Sequence, residues 1–194
     1  MTTLVFDEGA ATRGALKTLC RAALAAYYGN LVTPTCENQL EYIETVKRNV
    51  TKLLKEGFFL RGGVDDLNRT RNFGNPLIAD ICRKFYYNAK NTCLSRVCPE
   101  AFEKLPRECL ALVCACIQNC LHEYETGFFI GRKFEGKVYS KVYLAMLKLI
   151  DEVDNHPYHG PRLDQTLRDI AVTGRMQSRK ENISPDELDL AVVL

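Results

Sequence analysis

The segment Pro106–Gly127, PRECLALVCACIQNCLHEYETG, constrains the fold more than any other part of the chain. Cys109, Leu112, Val113, Cys116, Ile117, Cys120, Leu121 and Tyr124 recur at the i, i+3, i+4, i+7 spacing of one helical face. The opposite side carries Ala111, Cys114 and Ala115, which are small rather than polar. A helix that is apolar nearly all round must be surrounded by other elements. The small side chains let those neighbours come close. Pro106 starts this helix and Gly127 stops it.

Helical periods recur on either side, and no period-2 alternation of useful length is present. Leu16, Leu19, Cys20, Ala23, Leu24 and Tyr27 define a helix over about 12–28, ended by Gly29-Asn30. Thr33-Pro34 reads as the N-cap and first residue of a second helix. Its apolar stripe is Leu40, Ile43, Val46, Val50, Leu53 and Leu54, with Gly57 near its end. Residues 61–75 read as a polar loop. Asn75-Pro76 caps a third helix with Ile78, Ile81, Cys82, Phe85 and Ala89 on one face. Residues 91–105 are irregular, with one turn at Pro99–Lys104. A helix over about 137–154 carries two stripes. One is Val138, Val142, Met146, Leu149 and Val153; the other is Tyr139, Tyr143, Leu147 and Ile150. Leu163, Leu167, Ile170 and Ala171 support one more helix. Residues 174–183 read as a solvated linker. Ser184-Pro185-Asp186-Glu187 then opens a short amphipathic piece ending in LAVVL. The chain is therefore expected to be all-α, a single bundle-like domain of six or seven helices over 1–173, followed by a linker and C-terminal segment over 174–194.

In order along the chain, Ala26-Tyr27-Tyr28 ends the first helix and Gly57-Phe58-Phe59 closes the second. Phe73-Gly74-Asn75-Pro76 opens the third. Leu105-Pro106 and Leu110-Ala111-Leu112-Val113 begin the central one. Glu123-Tyr124-Glu125-Thr126-Gly127, Phe134 and Tyr139-Ser140-Lys141-Val142-Tyr143 follow. With these motifs the chain resembles an uncharacterised all-helical domain family of mushroom-forming (basidiomycete) fungi, a domain of unknown function. The resemblance runs to about Val153. It implies an all-helical fold and a fungal source, and it transfers no catalytic residue.

The nine cysteines lie mostly at apolar helical positions, where a reduced Cys acts as a small hydrophobe. Cys116 and Cys120 are four residues apart and Cys93 and Cys98 fall in a loop, so metal binding and disulfide or redox chemistry stand beside core packing as readings. The paired C-x2-C spacing of zinc sites is missing, and no residue is assigned as a metal ligand. No cofactor fingerprint is present: Gly62-Gly63 lacks the strand before it and the Lys-Ser/Thr after it. Glu123 and Glu125 point to different helix faces and do not form an acid–base pair. The N-terminus shows no basic region before an apolar run, and no stretch reaches the roughly 20 apolar residues of a membrane span. A soluble intracellular protein of cytoplasm or nucleus, with no membrane partner, is expected.

Net charge is +2, yet residues 44–107 hold 13 Lys/Arg against 7 Asp/Glu. Arg69 and Arg71 lie in the loop, and Arg83, Lys84, Tyr87 and Lys90 lie off the apolar stripe of the third helix. Basic groups beside an exposed tyrosine are candidates for phosphate contact and base stacking. They equally make a solvated face, or a face for another acidic partner. Leu188, Val192, Val193 and Leu194 are candidates for docking a protein partner. The function expected first is a non-enzymatic helical interaction module. The alternatives are a nucleic-acid-associated module using 44–107, and an enzyme of unrecognised type, which would need a pocket with a polar pair near Glu123, His122 or His156.

Overall fold

The computed structural model describes residues 10–88, 90 and 93–181. Among these residues seven α-helices follow in order: α1 Ala10–Val32, α2 Gln39–Leu54, α3 Pro76–Tyr86, α4 Leu94–Val97, α5 Arg107–His122, α6 Gly136–Asp154 and α7 His159–Glu181. Short 3-10 segments, Lys55–Leu60 and Pro99–Phe102, follow α2 and α4. The fold is all-α. Among the described residues the only extended pairing is one antiparallel bridge, Val64 to Thr70.

The expected central helix is α5. Every residue from Cys109 to Leu121 is buried except Gln118. Helices α1, α2, α3 and α6 pack around it, and α7 closes the outside against α3 and α6. Ala111, Cys114 and Ala115 are fully buried on the side that the apolar stripe leaves over. Their small size is what allows several helices around one axis.

Local signals place most ends. Asn75 Oδ1 accepts from the Leu77 amide at 3.0 Å, with Pro76 at the first helical position. The Asn75 amide group donates to the Tyr28 hydroxyl (2.6 Å) and the Phe59 carbonyl (2.7 Å), so one buried side chain ties α3 to α1 and to the end of α2. Gly57 has φ +65°, the left-handed conformation that favours glycine and ends a helix.

Four expectations are corrected. Thr33 closes α1 instead of opening α2: its amide and hydroxyl both donate to the Gly29 carbonyl, at 2.7 and 2.9 Å. The cap of α2 is Asn38, whose Oδ1 accepts from the Glu41 amide at 2.9 Å. That later start leaves Leu40 in the first turn, 77% exposed, outside the stripe. On α6 only the second stripe is well buried, through Tyr139, Tyr143 and Ile150; of the first, Met146 is buried while Val138 and Leu149 are exposed. Finally, residues expected as a linker from 174 are helical through Glu181. Gly174 is buried, and a Cβ there would stand 2.6 Å from the Tyr87 Cβ, so this turn is packed on the domain and not solvated. Leu188, Val192, Val193 and Leu194 lie outside the described residues.

The all-round burial of α5 makes two substitutions costly for opposite reasons. Cys116→Ser puts a hydroxyl into a dry interface and should lower stability by roughly 1–3 kcal/mol. Ala115→Leu overfills the small-residue side and should cost about 1–3 kcal/mol. Urea unfolding of each variant checks this; unchanged midpoints in both would contradict the central position of α5.

Candidate functional site

Glu123, one residue past α5, is 1% exposed. It continues the apolar face of Cys116 and Cys120, which carries a carboxylate into the contact with α1. Two cations one turn apart on α1 meet it there. Lys17 Nζ lies 2.8 Å from Oε1. Arg21 grips both oxygens, Nε to Oε2 at 2.8 Å and its terminal nitrogen to Oε1 at 2.6 Å. The Arg132 amide donates to Oε1 at 2.9 Å. Burial raises the carboxyl pKa; the bonds from Arg21, Lys17 and the Arg132 amide outweigh it, and the net shift is downward. The group stays ionised.

The same residue shapes the loop that follows. Gly127 turns the chain at φ +94°, where a Cβ would come within 2.6 Å of Ile43 Cγ2. The Ile130 amide donates to the Glu123 carbonyl at 2.7 Å. The bonds from the Ile130 and Arg132 amides thus anchor the far side of the loop on one residue. Between Gly127 and Arg132 the side chains of Phe128, Phe129 and Ile130 are 46%, 51% and 49% exposed. The Arg21 guanidinium lies 5.3 Å from the centre of the Phe129 ring, and Tyr124 packs on that ring at 5.5 Å. Arg21 therefore links the buried carboxylate to the exposed aromatic tip.

A second polar cluster joins the 61–75 loop to the start of α7. The loop is a tight hairpin, held by Gly62 amide to Arg71 carbonyl and Arg71 amide to Gly63 carbonyl, both 2.9 Å. Asp65 accepts from the Leu67 and Arg69 amides (2.9 and 3.0 Å) and from the Tyr158 hydroxyl. The guanidiniums of Arg69 and Arg162 lie 4.0 and 3.8 Å from the Tyr158 ring centre. The Tyr158 hydroxyl, then the Arg69 amide, pull the Asp65 carboxyl down to about 2. His156 Nδ1 accepts from the amides of Tyr158 (3.1 Å) and His159 (3.3 Å). A cavity of about 400 Å3 beside this cluster is lined by Arg71, Arg162, His159 and Asp65, among others.

The sequence-predicted basic residues do not form one surface. Arg69 joins the Tyr158 cluster, and exposed Arg71 lines its cavity. Arg83 and Lys84 turn to Asp80, at 3.9 and 2.9 Å. Tyr87 is 2% exposed and donates its hydroxyl to the Phe102 carbonyl at 3.3 Å, so it cannot stack on a base. Lys90 is exposed at the end of α3. The free thiol of Cys116 is hydrogen-bonded to those of Cys20 and Cys120 in the α1–α5 interface. Burial raises the Cys20 thiol, and the Cys120 thiol is raised first by the bond it donates to Cys116 and then by burial. Such thiols are poor nucleophiles. No group of three metal-ligating side chains gathers among the described residues. Lys17, Arg21 and the aromatic tip escaped the sequence reading. The signal for them was Glu123 itself, an acid in register with an apolar stripe, which demands buried cations from another element.

The chain belongs to the family described as a domain of unknown function, DUF6532, whose profile matches residues 1–153. The match contains Lys17, Arg21, Glu123 and the tip, and it ends before Tyr158 and Arg162. No curated protein and no solved structure matches the chain.

Removing Glu123 strands Lys17 in the interface. Glu123→Leu should cost about 3–5 kcal/mol, the usual penalty for breaking a buried pair from one side, read by denaturant unfolding. A loss under about 1 kcal/mol would show that the cluster is not holding α1 on α5. His122 and His159 give a pH signature. Burial lowers both below the ordinary 6.5, with His156, Arg69 and Arg162 adding to it at His159. The unfolded chain therefore takes up protons first, and stability present above about pH 6.5 is lost as the pH falls through the lower folded values. Thermal melts should drop between about pH 7 and 5.5, less so in a His122→Gln/His159→Gln variant.

Proposed function

We propose that the domain is a non-enzymatic interaction module whose docking element for a protein partner is the Phe128-Phe129-Ile130 tip. The observation that carries this reading is the pinning of the tip. Three consecutive large apolar side chains stand about half exposed, while the backbone on their far side is bonded to buried Glu123. An apolar loop without a role tends to collapse onto its own domain. A preordered aromatic tip loses little conformational freedom on binding and offers the residue types that dominate protein interfaces. Arg21, half exposed beside Phe129, adds a charged contact at the edge of the same patch.

The acid–base alternative has little support at the residues it named. The Glu123 oxygens are taken up by Lys17, Arg21 and the Arg132 amide, away from solvent. His156 Nδ1 is engaged by two backbone amides. The nucleic-acid alternative keeps Arg69 and Arg71 and loses Tyr87; the Tyr158 cluster near them is balanced by Asp65. No helix among the described residues is long and apolar enough to cross a membrane.

The test compares the wild-type chain with a Phe128→Ser/Phe129→Ser variant in lysates of a basidiomycete, the source the resemblance implies. Proteins retained by the first and lost by the second are purified and titrated against both chains. The expected result is a partner whose affinity falls at least about 30-fold in the variant, since buried aromatic anchors contribute about 2 kcal/mol or more each. Thermal melts of the variant should stay close to wild type, because both side chains are about half exposed. In parallel, labelled RNA and DNA are titrated at two salt concentrations. Salt-sensitive binding, lost in Arg69→Ala/Arg71→Ala and untouched by the tip variant, would overturn the protein-docking reading.

A further inference from the structure

A groove of about 520 Å3 opens on another side of the domain, between the start of α1, the end of α3 and α4. Its apolar lining includes Ala15, Leu19, Phe85 and Leu94, and Lys84 and Lys90 add two exposed cations. Lys84 pairs with Asp80, while Lys90 meets no carboxylate among the described residues. The groove is thus apolar at its base and positively charged at its edge.

Helix α7 delivers the chain to this place. Near its end the Ser178 hydroxyl accepts from Arg96 at 3.1 Å, and Arg96 stands two residues beyond Leu94 on α4. Another apolar groove, lined by Leu54, Phe59, Met146 and Val153, lies between the end of α2 and α6. No residue of α7 lines that second groove. The end of α7 therefore lies against α4, whose Leu94 lines the first groove.

The sequence that follows has the complementary composition. Residues 184–194, SPDELDLAVVL, carry three carboxylates, Asp186, Glu187 and Asp189, and no cation. Leu188 and Val192 are spaced for one helical face, with Val193 and Leu194 adjoining. We propose that residues 184–194 of the same chain occupy the α1–α3–α4 groove. Their apolar side chains cover Ala15, Leu19, Phe85 and Leu94, and their carboxylates face Lys84 and Lys90. The segment is an internal ligand, and it competes with any polyanion for these two lysines. This goes beyond the docking role of the tip and is independent of it.

The test uses the full chain with a benzophenone amino acid in place of Val192. Irradiation followed by peptide mapping should give intramolecular links to the peptides containing Ala15–Leu19 and Phe85–Leu94. Lys84→Glu/Lys90→Glu should cut that yield by roughly fivefold, and Asp186→Lys/Glu187→Lys in the same background should restore it. Unchanged thermal melts show that the reversed variants fold. Links to another face, links between two copies that rise with concentration, or a yield indifferent to charge reversal would each overturn the assignment. So would links from a benzophenone placed at Phe6 to the same two peptides, because the groove would then belong to residues 1–9.

Discussion

The structure depends on a carboxylate that has no water to turn to. An ionised acid in a helix interface is stable only if its partners are built in, and Glu123 has four: the Lys17 ammonium, two nitrogens of Arg21 and the Arg132 amide. Those contacts fix the rotation of α1 about its axis relative to α5. With α1 placed, the thiols of Cys20, Cys116 and Cys120 meet in the same interface. Apolar burial supplies most of the stabilisation of such a core. The ion cluster, having directional partners, selects one packing among the several that an Ala/Cys-rich helix surface would tolerate.

The two polar joints of the domain differ in kind. Around Glu123, side chains from distant elements converge on one buried charge. Around Tyr158, a hairpin of the 61–75 loop is clasped to the start of α7 by Asp65 from one side and by two guanidiniums against a ring. The first lies within the span matched by the family and the second is completed by residues beyond it. Asn75 makes a third, smaller joint, in which a helix cap also bonds two other elements. Each uses one side chain to satisfy backbone or polar groups of several segments, which is why few polar atoms need be buried.

Much of the architecture was legible because it is periodic. The stripe of α5 with its small residues, the Asn75-Pro76 cap and the Gly57 stop all follow from spacing and local chemistry. What escaped was non-local. Thr33 looks like a cap, and only the reach of its hydroxyl to the Gly29 carbonyl shows that it ends the previous helix. Tyr87 follows a basic pair and reads as exposed until α7 is laid over it at Gly174. The polar run 174–181 hides a helix because Gly174 and Ser178, four residues apart, replace the usual apolar stripe. Glu123 receives its cations from residues more than 100 positions earlier, a pairing that local patterns cannot contain.

That separation has a consequence for the surface. The segment carrying Phe128, Phe129 and Ile130 is anchored on Glu123, and Glu123 is neutralised only when α1 docks. The exposed tip thus combines two local bonds to Glu123 with a charge that α1 must neutralise. That neutralising contact is one of the longest-range contacts of the chain, spanning more than 100 positions. A surface held in this way should loosen when α1 is displaced from α5. Anything that reads it also reads that α1 is in place.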